Sequence, residues 1–439
     1  LEKTKQNATV SVKLLPSDVP FSSKSINNAC GVVDGYSYSG DTWSFAVVCD
    51  TRGNADFPKD LSNPDNWVNT VALNSIATAI AAENVDLVLA PGDLILGNLT
   101  FVTPPTYYPL EGQYNILNSA LAPITNKGIP IYPVRGNHET YDGNPSVNGT
   151  TAQTWLNMYG NNLPQNGPAA VASTKAPTQV GFTYSFENKN AIFVCIDQYV
   201  YNPYEAQHWS TWENYTAVYP YIYDMDWITS QLAENTKKKN KHVFISGHAP
   251  AFQGQEKTYL GNYQAMGSTG RNNFWKTIYD NGAKLYFCGH DHFYARAYVE
   301  VNGSDDDTSY GLQQVILGTS GACLSSSPGP DGQSYLWNEK YPNNKTNGAT
   351  ITPKCTSQAP NTYGYIKVDV ESSSGKVDYY YYASSNVTED KPTWSLLDSY
   401  TYYESFPSSS SSSSSSPSPS SWKDPYYSAA PVPVNEGKM

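Results

Sequence analysis

The sequence predicts an α/β fold in which two packed mixed β-sheets, a β-sandwich, are flanked by α-helices. Three observations predict it. Short apolar runs alternate with helical patterns, further strand-like runs follow without helices between them, and polar residues recur at the ends of the apolar runs. In order, "SFAVVCD" reads as a strand, "NWVNTVALNSIATAIAAEN" as an Ala-rich helix and "VDLVLAPGD" as a strand, which is β-α-β order. The pattern repeats with "QYNILNSALAPIT" as helix, "IPIYPVRGNHE" as strand and "TAQTWLNMYG" as a short helix. "GFTYSFENKNAIFVCIDQ" is a hairpin, with turn residues Glu187 to Asn190. Next come the helix "MDWITSQLAENTKK", the strand "KHVFISGHAP", the helix "NNFWKTIYDNG" closed by Gly282, and the strand pair "KLYFCGHDHFYARAYVEV". "LQQVILGTSG", "YGYIKVDV" and "KVDYYYYAS" are the last strands. One domain is expected over residues 40–390, after an N-terminal extension (1–39) and before a Tyr/Ser/Pro-rich tail (391–439).

Composition excludes some function classes. A net charge of -12 argues against a nucleic-acid surface, and the lysines from Lys237 to Lys241 suit a helix C-terminus. No apolar run approaches the ~20 residues that span a bilayer. The chain begins at Leu1 rather than Met, which fits removal of a secretory leader and equally a trimmed chain. With 36 tyrosines and few charges, the profile suits a strand-rich secreted or cell-surface protein. Sequons at Asn7, Asn98, Asn148, Asn214, Asn302, Asn344 and Asn386 permit glycosylation. Cys30, Cys323 and Cys355 lie in polar loops suited to disulfides, Cys323 with Cys355 first, whereas Cys49, Cys195 and Cys288 sit in apolar runs as small core residues. Ser408 to Ser416 is unbroken serine, read either as a linker or as a tail that docks on a neighbouring subunit in self-assembly.

The polar residues at the strand ends carry the chemistry. Asp50 ends its strand, Asp93 follows Gly92, Asn137 and His138 follow Gly136, His248 follows Gly247, and His290 and His292 follow Gly289. Strand C-terminal ends that meet along one rim are where α/β folds place ligands. His290 and His292, two apart in an extended segment, are expected on one side. Carboxylate, amide and imidazole donors without a thiolate cluster suit Zn, Mn or Fe, either one ion or two. A carboxylate such as Asp93 bridges two ions ~3.5–4 Å apart, a pair that stabilises the attacking and leaving oxygens of a displacement at phosphorus.

In that order, D-x-x, G-D, G-N-H-E, G-H and G-H-x-H resemble the motifs of the calcineurin-like metallophosphoesterases, the superfamily that includes purple acid phosphatases, over residues 44 to 300. The resemblance implies a β-sandwich with a dinuclear centre, acting on a phosphomonoester or a diester through a metal-bound hydroxide. It implies one metal on Asp50, Asp93 and His292, and a second on Asp93, Asn137, His248 and His290. It makes His138 a non-ligand that contacts the substrate phosphate and helps protonate the leaving group. Neighbours in an extended chain point apart, so Asn137 would face the metal while His138 faces the substrate, and Asn137 is also counted among the substrate-binding residues.

One position departs from the pattern. Most of the superfamily has Asp-x-His where this chain has Asp50-Thr51-Arg52, and the tyrosine that purple acid phosphatases use three residues after the G-D aspartate is Leu96 here. Arg52, always protonated, cannot ligate but can grip a phosphate or pair with a rim carboxylate. Three outcomes remain open: two metals with water completing the shell, one metal, or a site that binds phosphate and turns over poorly. The rival reading is a structural or assembly-forming protein that retains the fold. The aromatic insert 197–215 with His208 is read as surface or as a substrate overhang, Asp305 to Asp307 as a solvated turn rather than a calcium site, and His242 as a core residue.

Overall fold

The computed structural model describes residues 42–53, 66–97, 109–140, 150–169, 178–199, 225–238, 242–252, 267–301, 312–325, 345–346, 349–359, 361–371, 375–388 and 392–404. Its strands are β1 (Thr42–Val47), β2 (Leu87–Pro91), β3 (Ile131–Val134), β4 (Tyr184–Asn188), β5 (Ala191–Ile196), β6 (His242–Gly247) and β7 (Ala283–Cys288). They continue with β8 (Tyr294–Val301), β9 (Leu312–Leu317), β10 (Lys345–Thr346), β11 (Ala349–Ala359), β12 (Tyr363–Glu371), β13 (Lys376–Ser384) and β14 (Ser395–Tyr403). Helices are α1 (Thr70–Glu83), α2 (Leu110–Ala120), α3 (Ala122–Thr125), α4 (Thr150–Met158), α5 (Met225–Lys238) and α6 (Gly267–Asp280).

Two mixed sheets result, as the sequence predicts. One has six strands in the order β14-β13-β12-β1-β2-β3, and the other eight in the order β10-β11-β8-β9-β7-β6-β5-β4. β1, β2 and β3 are mutually parallel, as are β5, β6, β7 and β9. The C-terminal ends of β1, β2 and β3 in one sheet, and of β6 and β7 in the other, are therefore the ends that carry the polar motifs.

Period-two patterning explains the layers. On β5, Phe193 and Cys195 face the core between the sheets, whereas Ile192, Val194 and Ile196 pack in a second cluster with Leu232 of α5 and Phe274 and Ile278 of α6. Phe45 of β1 closes the inter-sheet core against Phe193, Phe244 and Phe287, with ring centroids 5.2, 4.9 and 5.9 Å away. On the first sheet, α1 buries Leu73, Ile76, Ala77 and Ile80, a spacing that lines one helical face. Asn69 caps it by accepting the Ala72 N–H at 3.1 Å. Cys49, Cys195 and Cys288 are buried free thiols, as their apolar surroundings imply. Among the described residues no helix is long and apolar enough to cross a membrane.

The hairpin turn falls at Lys189, with φ of 51°, between paired Asn188 and Ala191. Three strands had no counterpart in the sequence reading: β10, β11 and β14. β14 also corrects the domain boundary, because residues 395–403, assigned to the tail, form the edge strand beside β13. Its Asp398 reaches β8 in the other sheet, accepting from Arg296 Nε at 2.7 Å, Arg296 Nη2 at 3.0 Å and the Tyr294 hydroxyl at 2.5 Å. Asp398→Ala leaves Arg296 without its anion and is expected to destabilise the fold by about 3 kcal/mol. A urea midpoint unchanged from wild type counts against this clamp. The serine run, Cys30, the Cys355 side chain, His208, Asp305 to Asp307 and every sequon except Asn386 lie outside the described residues, so the tail and the Cys323–Cys355 pairing remain sequence expectations.

Candidate metal centre

The strand ends converge. Beyond β1 the parallel ladder continues, with Asp50 N–H donating to Gly92 O and Arg52 N–H to Asp93 O, both at 3.1 Å, so the first two motifs lie side by side. Asp50, Asp93 and His290 adopt φ of 55°, 50° and 70°, a left-handed backbone uncommon for residues with a side chain and entered most readily by Asn, Asp and His. Glycine permits the close approach at two places. A Cβ on Gly136 would lie 2.2 Å from Asp93 Oδ1, and one on Gly289 would lie 2.0 Å from Asp50 Oδ2.

All eight candidate side chains meet in this cluster. Asp93 Oδ1 lies 3.2 Å from His248 Nε2, and Asn137 Oδ1 lies 3.2 Å from the same nitrogen and 3.0 Å from His290 Nδ1. On the other side, His292 Nε2 stands 3.6 Å from Asp50 Oδ1 and 3.2 Å from Arg52 Nη2. His138 Nε2 is 3.7 Å from Asp93 Oδ2, while its Nδ1 lies 2.7 Å from Leu96 O and its backbone N–H donates to Asp93 Oδ1 at 3.0 Å.

Two geometric expectations are corrected. His290 and His292 do not share a side: the bend from His290 to Phe293 sends His290 toward Asn137 and His292 toward Asp50 and Arg52. Asn137 and His138 diverge because His138–Thr140 is a 3-10 turn, not because the chain is extended.

Charge in the cluster follows from burial and neighbours. Burial pushes the Asp50 carboxyl up to about 7, with Asp93 adding to the rise. Burial alone would raise Asp93 too, but the charges of His248 and His138 hold it well below the usual carboxylate range. Burial opposes the charge on His248, yet Asp93 outweighs it and lifts the imidazole to about 9. Burial pushes His138 down to about 3 against the pull of Asp93. Burial, then Asp50, pushes the Cys49 thiol up, so it stays a neutral donor behind Asp50, 3.1 Å from Oδ2.

The donor set fits metal ions. Ligand atoms of Asp93, His248 and His290 lie within 4.8 Å of one another, as do those of Asp50, Asp93 and His292. Asp50 Oδ1 is buried without a hydrogen-bond partner, an arrangement that a bound cation resolves. Nitrogen and oxygen donors of this kind match Zn, Mn or Fe.

Glu139 belongs to the site and had no role in the sequence reading. Its buried carboxylate accepts from the backbone N–H of Asp93 at 3.0 Å, Leu94 at 2.7 Å, Ile95 at 3.1 Å and Gly136 at 2.6 Å, tying the second motif to the third. Burial, with Asp93 nearby, pushes it up to about 7. The only sequence signal was its place in G-N-H-E. Glu139→Ala strands four backbone donors, and since each unsatisfied buried donor costs ~1–3 kcal/mol, a loss of about 3 kcal/mol or more is expected. Denaturant unfolding checks it, and a loss under about 1 kcal/mol contradicts it. Arg135, which leads into the same turn, is pinned by a 2.6 Å bond to Asp197 beyond β5. His242 lies apart from the cluster, buried 3.3 Å from Glu404.

The sequence model of the calcineurin-like phosphoesterases matches residues 45–294, a span containing every residue of the cluster. The fold superposes on a purple acid phosphatase isolated from yellow lupin (Lupinus luteus) seeds with a TM-score of 0.50 at 14% identity, covering 84% of this chain and 55% of that one. It superposes on PhoD with a TM-score of 0.52 at 13% identity, covering 84% of this chain and 72% of that one. The chain thus spans little more than half the length of the lupin protein, and at these identities the likeness is one of fold. No curated protein gives a significant sequence match.

Proposed function

From the premise that the chain belongs to the calcineurin-like phosphoesterase family, which its sequence match over residues 45–294 establishes, we propose that it is a metal-dependent phosphoesterase acting on phosphomonoesters, with diesters as the second class to test. The observation that carries this reading is the meeting of six oxygen- and nitrogen-bearing side chains, from five strand ends, around Asp93. Asp93, Asn137, His248 and His290 would hold one ion, and Asp50, Asp93 and His292 are the donors of the other family position. A bound ion supplies Lewis acidity that polarises a phosphoryl oxygen and lowers the pKa of water.

The chain's own residues do the rest. His138 Nδ1 faces the Leu96 carbonyl at 2.7 Å, which fixes the ring proton there and makes Nε2, 3.7 Å from Asp93 Oδ2, the nitrogen that would meet the substrate. A phosphate dianion beside Nε2 favours its protonation, so that Nε2 can hold a proton for the leaving oxygen. Arg52 Nε is buried without a partner, a donor ready for a phosphoryl oxygen. The Asn137 amide presents its oxygen to the imidazoles of His248 and His290. An extracellular setting is part of the proposal and rests on composition alone.

Elemental analysis of the purified protein, run beside hydrolysis of p-nitrophenyl phosphate, tests the reading. Bound metal with turnover abolished by a chelator and restored by Zn, Mn or Fe is the expected result. Absence of both metal and turnover, after reconstitution with each ion, replaces it with a structural protein that retains the fold.

A further inference from the structure

Within the phosphoesterase reading, on which this inference rests, we infer that the Arg52 guanidinium takes the place of one of the family's two ions, so that the centre holds a single metal on Asp93, Asn137, His248 and His290. A guanidinium has donors and no acceptor, so at 3.2 Å the His292 Nε2 must accept from Arg52 Nη2. An imidazole nitrogen has one lone pair. Spent on an N–H, it is not available to a metal. The position therefore loses His292 as a ligand, and the residue three after Asp93, the aliphatic and fully buried Leu96, offers none.

The guanidinium is built in rather than passing through. Arg52 is 5% exposed. Its backbone N–H donates to Asp93 O at 3.1 Å, the next residue's N–H donates to Trp67 O at 3.1 Å, and Arg52 forms an antiparallel bridge with Val68. A buried arginine needs anions near it, and its charge is felt by both Asp50 and Asp93. Charge points the same way. One dication with the guanidinium already exceeds the charge of the two carboxylates, whereas a second dication would stand beside a fixed positive group. The other donor set, Asp93, Asn137, His248 and His290, contains no permanently protonated side chain in place of an ion. A substrate phosphate would then lie between the single ion and Arg52, gripped from the second side by an organic cation.

Metal content and spectroscopy test this independently of turnover. Chelator-stripped protein titrated with Mn2+ and desalted should retain one equivalent per chain and give the EPR spectrum of an isolated ion. His248→Ala should lose that equivalent and His292→Ala should keep it. Arg52→His and Arg52→Ala should each take up a second equivalent and show an exchange-coupled spectrum, with circular dichroism confirming that all variants fold. Two equivalents in the wild type overturn the inference and leave the phosphoesterase reading standing. No retained ion in the wild type overturns both. One equivalent in the wild type and in both Arg52 variants overturns the part given to Arg52, and retention by His248→Ala with loss by His292→Ala overturns the position given to the ion.

Discussion

Asp93→Asn is expected to lose bound metal and to lower turnover by more than about 10³-fold, since removing even one group that stabilises developing charge costs ~10²–10³. Asp93 belongs to two of the three groups of converging donors among the described residues. It also receives the His138 backbone N–H and lies 3.2 Å from His248. Asparagine preserves the shape and removes the negative charge, so His248 loses the neighbour that lifts its imidazole. The backbone ties through Glu139 remain, and the variant should fold. Metal content and p-nitrophenyl phosphate hydrolysis read the two effects together. A variant that keeps both metal and wild-type turnover removes Asp93 from the centre.

His138→Ala separates proton delivery from metal binding. The metal content should stay at the wild-type level, because His138 is absent from every group of converging donors. The rate should fall about 10²–10⁴-fold, the usual contribution of a positioned general acid. The fall should also depend on the leaving group. An alkoxide needs a proton as it departs, whereas p-nitrophenolate leaves readily without one. An alkyl phosphate should therefore lose more rate than p-nitrophenyl phosphate. Equal losses on both substrates would assign His138 to phosphate binding alone.

Much of this site was legible because its motifs are local. A run such as "VDLVLAPGD" declares a buried strand, a glycine and an aspartate in nine residues, and five such endings in a protein with parallel strands place their ligands on one rim. The hairpin at Lys189 and the helix face of Leu73, Ile76, Ala77 and Ile80 were readable for the same reason: their periods repeat within a few residues. β11 and β14 escaped because their residues alternate weakly and their places depend on partners far along the chain. β14 lies against β13 with Leu396 and Leu397 half-exposed, so burial left little pattern to read.

The order and chemistry of the candidate ligands, the family, and the departure at Arg52 were determined by the amino-acid sequence alone, because each is a matter of which atoms the chain carries and how they are spaced. What only tertiary structure decided is where those atoms point. Asp and His reach left-handed backbone more often than most residues, but their identity does not say which of them will; at Asp50, Asp93 and His290 the neighbouring strand ends hold it. The same long-range packing sends His290 and His292 to opposite sides, gathers four backbone donors onto Glu139, and brings Arg52 to His292 across 240 residues of chain. A contact of that separation is created by folding two sheets onto each other, so no window of sequence contains it.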